Sequence, residues 1–183
     1  MSTKTLLTSE DLWKIVADGS RYELSRGELV PMTPVGFQHS AIVGRLGEFL
    51  SRHVRENRLG LVGMEGGFNL RRDPDTLRAP DLHFVSRERL AKEGITQKFA
   101  EYPPDLAVEV LSPEDTASEI LRKVKEYLAA AVPLVWIVDP ATKTVTVYRS
   151  LQDVKVLSAD QELDGADVLP GFRIAVEQIF ALS

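Results

Sequence analysis

Apolar positions along this chain recur at two spacings, and each spacing marks a kind of element. "HSAIVGRLGEFLSRHVREN" carries Ile42, Val43, Leu46, Phe49, Leu50 and Val54 at the interval of a helix buried along one side. Arg45, Arg52, Arg55 and Arg58 fall on its other faces. "SPEDTASEILRKVKEYLAAAV" repeats the pattern with Ala117, Ile120, Leu121, Val124, Leu128 and Ala131. "DLAVEVL" and "PLVWIVD" are continuous apolar runs, read as strands buried on both faces, and "TVTVY" alternates. Strand, helix and strand across residues 105–139 form a βαβ unit, which implies parallel neighbours and a right-handed crossover. Upstream, "LGLVGMEGGFNLRR" and "APDLHFVS" read as an antiparallel pair around the turn-like "RDPDTLR", followed by an irregular segment. "TSEDLWKIVADG" predicts a short helix capped by Thr8 or Ser9. "RYELSRGELVPM" predicts a hairpin around Ser25-Arg26-Gly27. "DGADVLPGFRIAVEQIFAL" closes with a turn, a short strand and a helix. The fold class expected is α/β, a mixed central sheet flanked by helices. One domain over residues 1–183 is expected, with an N-terminal helix-hairpin extension over about 1–35.

Composition narrows the chemistry. At 183 residues, 44% hydrophobic and 27% charged, the chain is long enough to bury a core without staples. It has no cysteine, which removes thiol catalysis, zinc ribbons and disulfide frameworks together. No stretch reaches membrane-spanning length and the first residues lack a signal-peptide run, so a cytoplasmic protein with no membrane partner is expected. The net charge of −5 argues against binding nucleic acid chiefly by phosphate neutralisation. It leaves a nuclease open, because active-site carboxylates with a divalent ion set their own local field.

Glu109 is the anomaly. It sits among Leu106, Ala107, Val108, Val110 and Leu111, where an unpaired carboxylate costs on the order of 3–5 kcal/mol. Its partner is either structural, an arginine such as Arg78, or functional. Asp81 follows Pro80 at the head of another strand and, by alternation, shares a face with His83 and Val85. If the two strands are neighbours, Asp81 and Glu109 meet on one side of the sheet. Two converging carboxylates repel, which raises at least one pKa unless a hard cation lies between them.

Several segments in order carry a resemblance: "YELSRGELVPMTPVGFQHSAIVGRL", "APDLHFV", "PPDLAVEVLSPED", Lys123 to Tyr127 in "RKVKEY", "WIVDP" before "TVTVYR", and "LPGF". Together they resemble the Uma-type restriction endonucleases of the PD-(D/E)xK nuclease superfamily. The resemblance implies a restriction-endonuclease-like core and metal-dependent hydrolysis of phosphodiester bonds in DNA. It implies Asp81 and Glu109 as ligands of Mg2+ or Mn2+, with the Val110 carbonyl as a further ligand. The superfamily lysine belongs two residues after the glutamate, where Leu111 stands. In the Uma-type pattern a lysine of the next helix takes that role, and Lys123 matches it. Helical geometry does not choose between Lys123 and Lys125, which flank opposite edges of the apolar stripe. The pattern also has a glycine where this chain has Ala131.

Around these residues both readings stay open. His39 is a cap or structural histidine, or, by resemblance, faces the site. Glu65 is a further ligand or part of a bulge among Gly63, Gly66 and Gly67. Glu23 and Glu28 recur in the family pattern without a geometric reason. Arg71, Arg72 and Arg78 form a basic cluster that contacts phosphate or is simply solvated. The expected function is a metal-dependent endonuclease. The alternative is a catalytically inactive module that keeps the fold and binds nucleic acid or protein. Cutting a duplex with one site per chain favours a homodimer, with Leu12, Trp13 and Ile15 as its contact surface.

Overall fold

A computed structural model describes residues 5–182. The elements in chain order are α1 (Ser9–Ile15), β1 (Tyr22–Ser25), β2 (Glu28–Pro31), α2 (Phe37–Glu56), β3 (Gly60–Gly63), β4 (Phe68–Arg71), β5 (Thr76–Arg78), β6 (Leu82–Ser86), α3 (Arg87–Glu93), β7 (Leu106–Val110), α4 (Ala117–Ala129), β8 (Leu134–Asp139), β9 (Thr144–Tyr148), β10 (Val154–Leu157), β11 (Glu162–Asp164), β12 (Arg173–Ala175) and α5 (Val176–Phe180). The central sheet has six strands in the order β10-β9-β8-β7-β6-β3, parallel between β7 and β8 and antiparallel elsewhere. This is the mixed sheet the sequence predicts, with α4 as the crossover.

The two faces of β7 go to different cores. Leu106, Val108 and Val110 pack with Ile42, Leu46, Leu50 and Val54 of α2 and with Val176 and Ile179 of α5. Ala107 packs with Val124 and Tyr127 of α4. Alternation therefore sends Glu109 toward α4. The expected stripe of α4 is rotated in the fold: Val124 and Tyr127 are buried, while Ala117 and Leu121 are exposed. Ala131 lies beyond the helix with a φ of 61°, the left-handed conformation that a glycine takes without strain.

Other expectations need correction. "RDPDTLR" is not only a turn: Thr76–Arg78 form β5, which pairs with β4 and with β1 in a second, four-stranded sheet of order β2-β1-β5-β4. The strand that pairs with β6 is β3, not the whole "LGLVGMEGGFNLRR" segment. The segment read as irregular contains α3, capped by Ser86. Leu12 is not available to a partner, because it is fully buried against Leu24 and Leu77. Trp13 keeps partial exposure and stacks edge-on against Phe99. Among the described residues, no helix is long and apolar enough to cross a membrane.

Thr8 caps α1 in a reciprocal box: its hydroxyl accepts the Asp11 N–H, and Asp11 accepts the Thr8 N–H. Thr8→Ala is expected to lower stability by about 1 kcal/mol in chemical denaturation.

Candidate active site

β6 and β7 bring the two acids together. Their register pairs Leu82 with Val108, so one step further sets Asp81 across from Glu109. β6 begins after Asp81, which leaves the Val110 amide without a strand partner on that side. The Asp81 carboxylate takes its place, with Oδ2 accepting the Val110 N–H at 2.7 Å. His39, in the first turn of α2, reaches the same oxygen with Nε2 at 3.3 Å. Burial works against a charge on this imidazole. The hydrogen bond and charge of Asp81, with smaller help from the Val110 backbone and Asp115, outweigh it and raise the His39 pKa.

Glu109 has both oxygens engaged from α4. Lys123 Nζ donates to Oε2 at 2.8 Å, and the Tyr127 hydroxyl donates to Oε1 at 2.6 Å. The fold thus chooses Lys123 over Lys125, which is exposed on another face of the helix. Burial raises the Glu109 pKa; Lys123 opposes this, while Asp81 and Glu23 add to it. For Lys123, burial is outweighed by the Glu109 and Glu23 carboxylates, so its pKa lies above that of an ordinary lysine and it stays cationic. Burial, then the charge of Glu109, keeps Tyr127 a neutral phenol, able to donate.

Arg78 is not the partner of Glu109. It is fully buried behind the site, with Nη1 on Glu23 Oε2 and Nε on Glu126 Oε2, each at 2.6 Å. Nη2 lies 2.6 Å from that same Glu126 oxygen, without hydrogen-bond geometry. Glu23 also accepts the Ala79 N–H at 2.9 Å, which ties β1 to the segment leading into Asp81. Glu23 therefore has a geometric role that its sequence position did not reveal.

The basic cluster of Arg71, Arg72 and Arg78 dissolves in the fold. Arg78 is buried, and Arg72 is ion-paired to Asp75 and Glu101. Arg71 remains exposed. Glu65 does not turn toward the acids as a ready ligand. It is exposed, has a φ of 52°, and pairs with Arg21 at 2.6 Å, while its N–H donates to the Pro80 carbonyl.

Two residues carry more than their sequence context suggested. Tyr127 enters the sequence reading only through its spacing from Lys123 in the family pattern, with no role of its own, yet its hydroxyl holds Glu109. His83 is buried, and desolvation lowers its pKa to about 4. Gly63 and Gly66 admit the ring: a Cβ at Gly63 would come within 2.4 Å of His83 Nε2, and one at Gly66 within 2.7 Å of Cε1. These two glycines serve close packing around an imidazole. Among the described residues, no three histidine, aspartate or glutamate side chains converge as a ready metal cage.

A family model described as "Uma2: Putative restriction endonuclease" matches residues 9–177. No curated protein matches the chain significantly. Among solved structures, a putative nuclease belonging to DUF820 from Anabaena variabilis ATCC 29413 superposes with a TM-score of 0.84 at 20% identity, covering 96% of this chain and 98% of that one. At that identity the likeness is one of fold.

Proposed function

The chain belongs to the Uma2 family, described as putative restriction endonucleases, and on that premise we propose that it hydrolyses phosphodiester bonds in DNA with a divalent cation as cofactor. The observation that carries this reading is the meeting of Asp81, Glu109 and Lys123 where β6, β7 and α4 come together.

The donors suit a hard ion. Mg2+ binds through one or two carboxylates and retains several waters, so two acids suffice without a full protein cage. Asp81, Glu109 and the Val110 carbonyl would hold Mg2+ or Mn2+. When bound there, the ion supplies an acidified water and neutralises charge on the scissile phosphate. Lys123 stays protonated, so it serves as a cationic donor to the crowded phosphate of the transition state rather than as a base. Tyr127 fixes the orientation of the Glu109 carboxylate, and the Val110 N–H and His39 fix that of Asp81.

The test is thermal unfolding with and without Mn2+, beside a plasmid-nicking assay. At ~100 times its dissociation constant, Mn2+ should stabilise the native protein by roughly 2.7 kcal/mol. Glu109→Gln should lose that gain and all nicking. It should also be less stable than the wild type without Mn2+, because Lys123 loses its carboxylate. An equal Mn2+ shift in the variant would remove Glu109 as a ligand.

A second reading rests on one observation: both Glu109 oxygens are already satisfied by Lys123 and Tyr127. An inactive module that binds nucleic acid or protein would keep this pair as a structural salt bridge. It would show neither nicking nor a Mn2+ shift. Under the nuclease reading we further propose a homodimer, since a duplex presents two strands to one site per chain. Light scattering at high concentration that returns a monomer would end that part alone.

A further inference from the structure

A groove of about 860 Å³ lies between α4 and the four-stranded sheet, separate from the Glu109 carboxylate. Arg26 from the β1–β2 turn, Arg71 from the end of β4, and Arg122 and Lys125 from α4 line it. All four side chains are exposed. None forms an ion pair with another described residue; the nearby pairs belong to Arg72, Arg78 and Lys123. Of the two lining glutamates, Glu126 is held by Arg78 and by the Ser25 hydroxyl, and Glu28 has an interaction of its own. The groove is therefore cationic on a chain whose net charge is −5. Leu70 and Leu121 add apolar surface between the charges.

This combination fits a nucleic-acid strand better than a small anion. Spaced cations answer successive phosphates, and the exposed Leu121 offers apolar contact to a sugar. α4 links groove and site, because it turns Lys123 toward Glu109 while Arg122 and Lys125 line the groove. Lys123 and the groove-lining Arg122 and Lys125 thus project from different faces of the same helix. We infer that the groove holds the sugar–phosphate backbone of the nucleic-acid substrate beyond the reacting phosphate. The inference rests on the nucleic-acid substrate proposed above.

The experiment compares the full-length wild type with two triple variants, each checked for an unchanged melting curve. One is Arg71→Gln/Arg122→Gln/Lys125→Gln in the groove. The other removes the same charge from a different surface, Arg55→Gln/Arg58→Gln/Arg87→Gln, which lines a separate depression beside α2 and β3. Binding of fluorescein-labelled single-stranded and duplex oligonucleotides is read by anisotropy across a salt series, without added divalent ion. The groove variant should bind at least ~10-fold more weakly at low salt, and its log K against log salt slope should flatten by ~2 on single strands or ~2.7 on duplex for three lost phosphate contacts. The control variant should stay within about twofold of wild type. Loss confined to one oligonucleotide form identifies which form the groove takes.

An unchanged groove variant, an equal loss in the control variant, or a wild type that binds neither oligonucleotide would overturn the inference. Nicking by the wild type is scored separately. A protein that binds through the groove but never nicks would end the hydrolase reading and leave the groove standing. A protein that nicks with an indifferent groove would do the reverse.

Discussion

Arg78→Met should lower folding stability by about 3–5 kcal/mol, the cost of stripping a buried cation from its carboxylates. Arg78 is wholly inaccessible to solvent, and both Glu23 and Glu126 depend on it. Methionine fills much of the same volume, so the loss reports charge more than cavity. Urea unfolding at neutral pH measures it, and the double variant Arg78→Met/Glu23→Gln should recover part of it. Purely additive losses would show that Glu23 and Arg78 do not act as a pair. The consequence reaches the site, because the Glu23 carboxylate acts electrostatically on Lys123, Tyr127 and Glu109. With Arg78 gone, that negative field is no longer balanced from behind.

Lys123→Met should reduce nicking by roughly 10²–10³-fold, the usual penalty for removing one transition-state donor. Stabilisation by Mn2+ should survive, since the proposed oxygen ligands remain. The split between lost turnover and retained metal response separates Lys123 from Glu109, whose replacement removes both. The pH behaviour follows from the direction of its shift. Because the folded pKa of Lys123 is raised, its contribution to stability is complete below the ordinary lysine value and fades only as pH climbs through the higher one. Between about pH 6 and 8 its charge is constant, so no pH in that range should rescue the variant. Recovery of nicking at higher pH would instead make Lys123 a proton carrier.

Glu109 was legible as a candidate site residue because a carboxylate inside an apolar strand demands a partner, and that demand can be read from one segment. The same holds for the helices: Ile42, Leu46, Leu50 and Val54 recur at helical spacing, and all four pack in the core as expected. β5 escaped notice because three residues inside a polar, Pro-containing stretch carry no periodicity. It exists through pairing with β1 and β4, which the local sequence does not encode. α3 escaped similarly, since none of its residues is buried and it shows no apolar stripe.

The partners of the acids lay beyond local reading. Periodicity placed Lys123 and Lys125 on opposite edges of α4, and only the packing of that helix on β7 sends Lys123 to Glu109. Arg78 was a candidate for Glu109, yet it binds Glu23 and Glu126, 55 and 48 residues away along the chain. His39 reaches Asp81 from the opposite layer of the molecule. The sequence by itself determined the main helices, the buried strands β7 and β8 and the two acids as candidates, because burial and periodicity act over a few neighbouring residues. The tertiary structure alone decided which cation meets which carboxylate. That choice turns on distances of a few ångströms between segments that share no local signal.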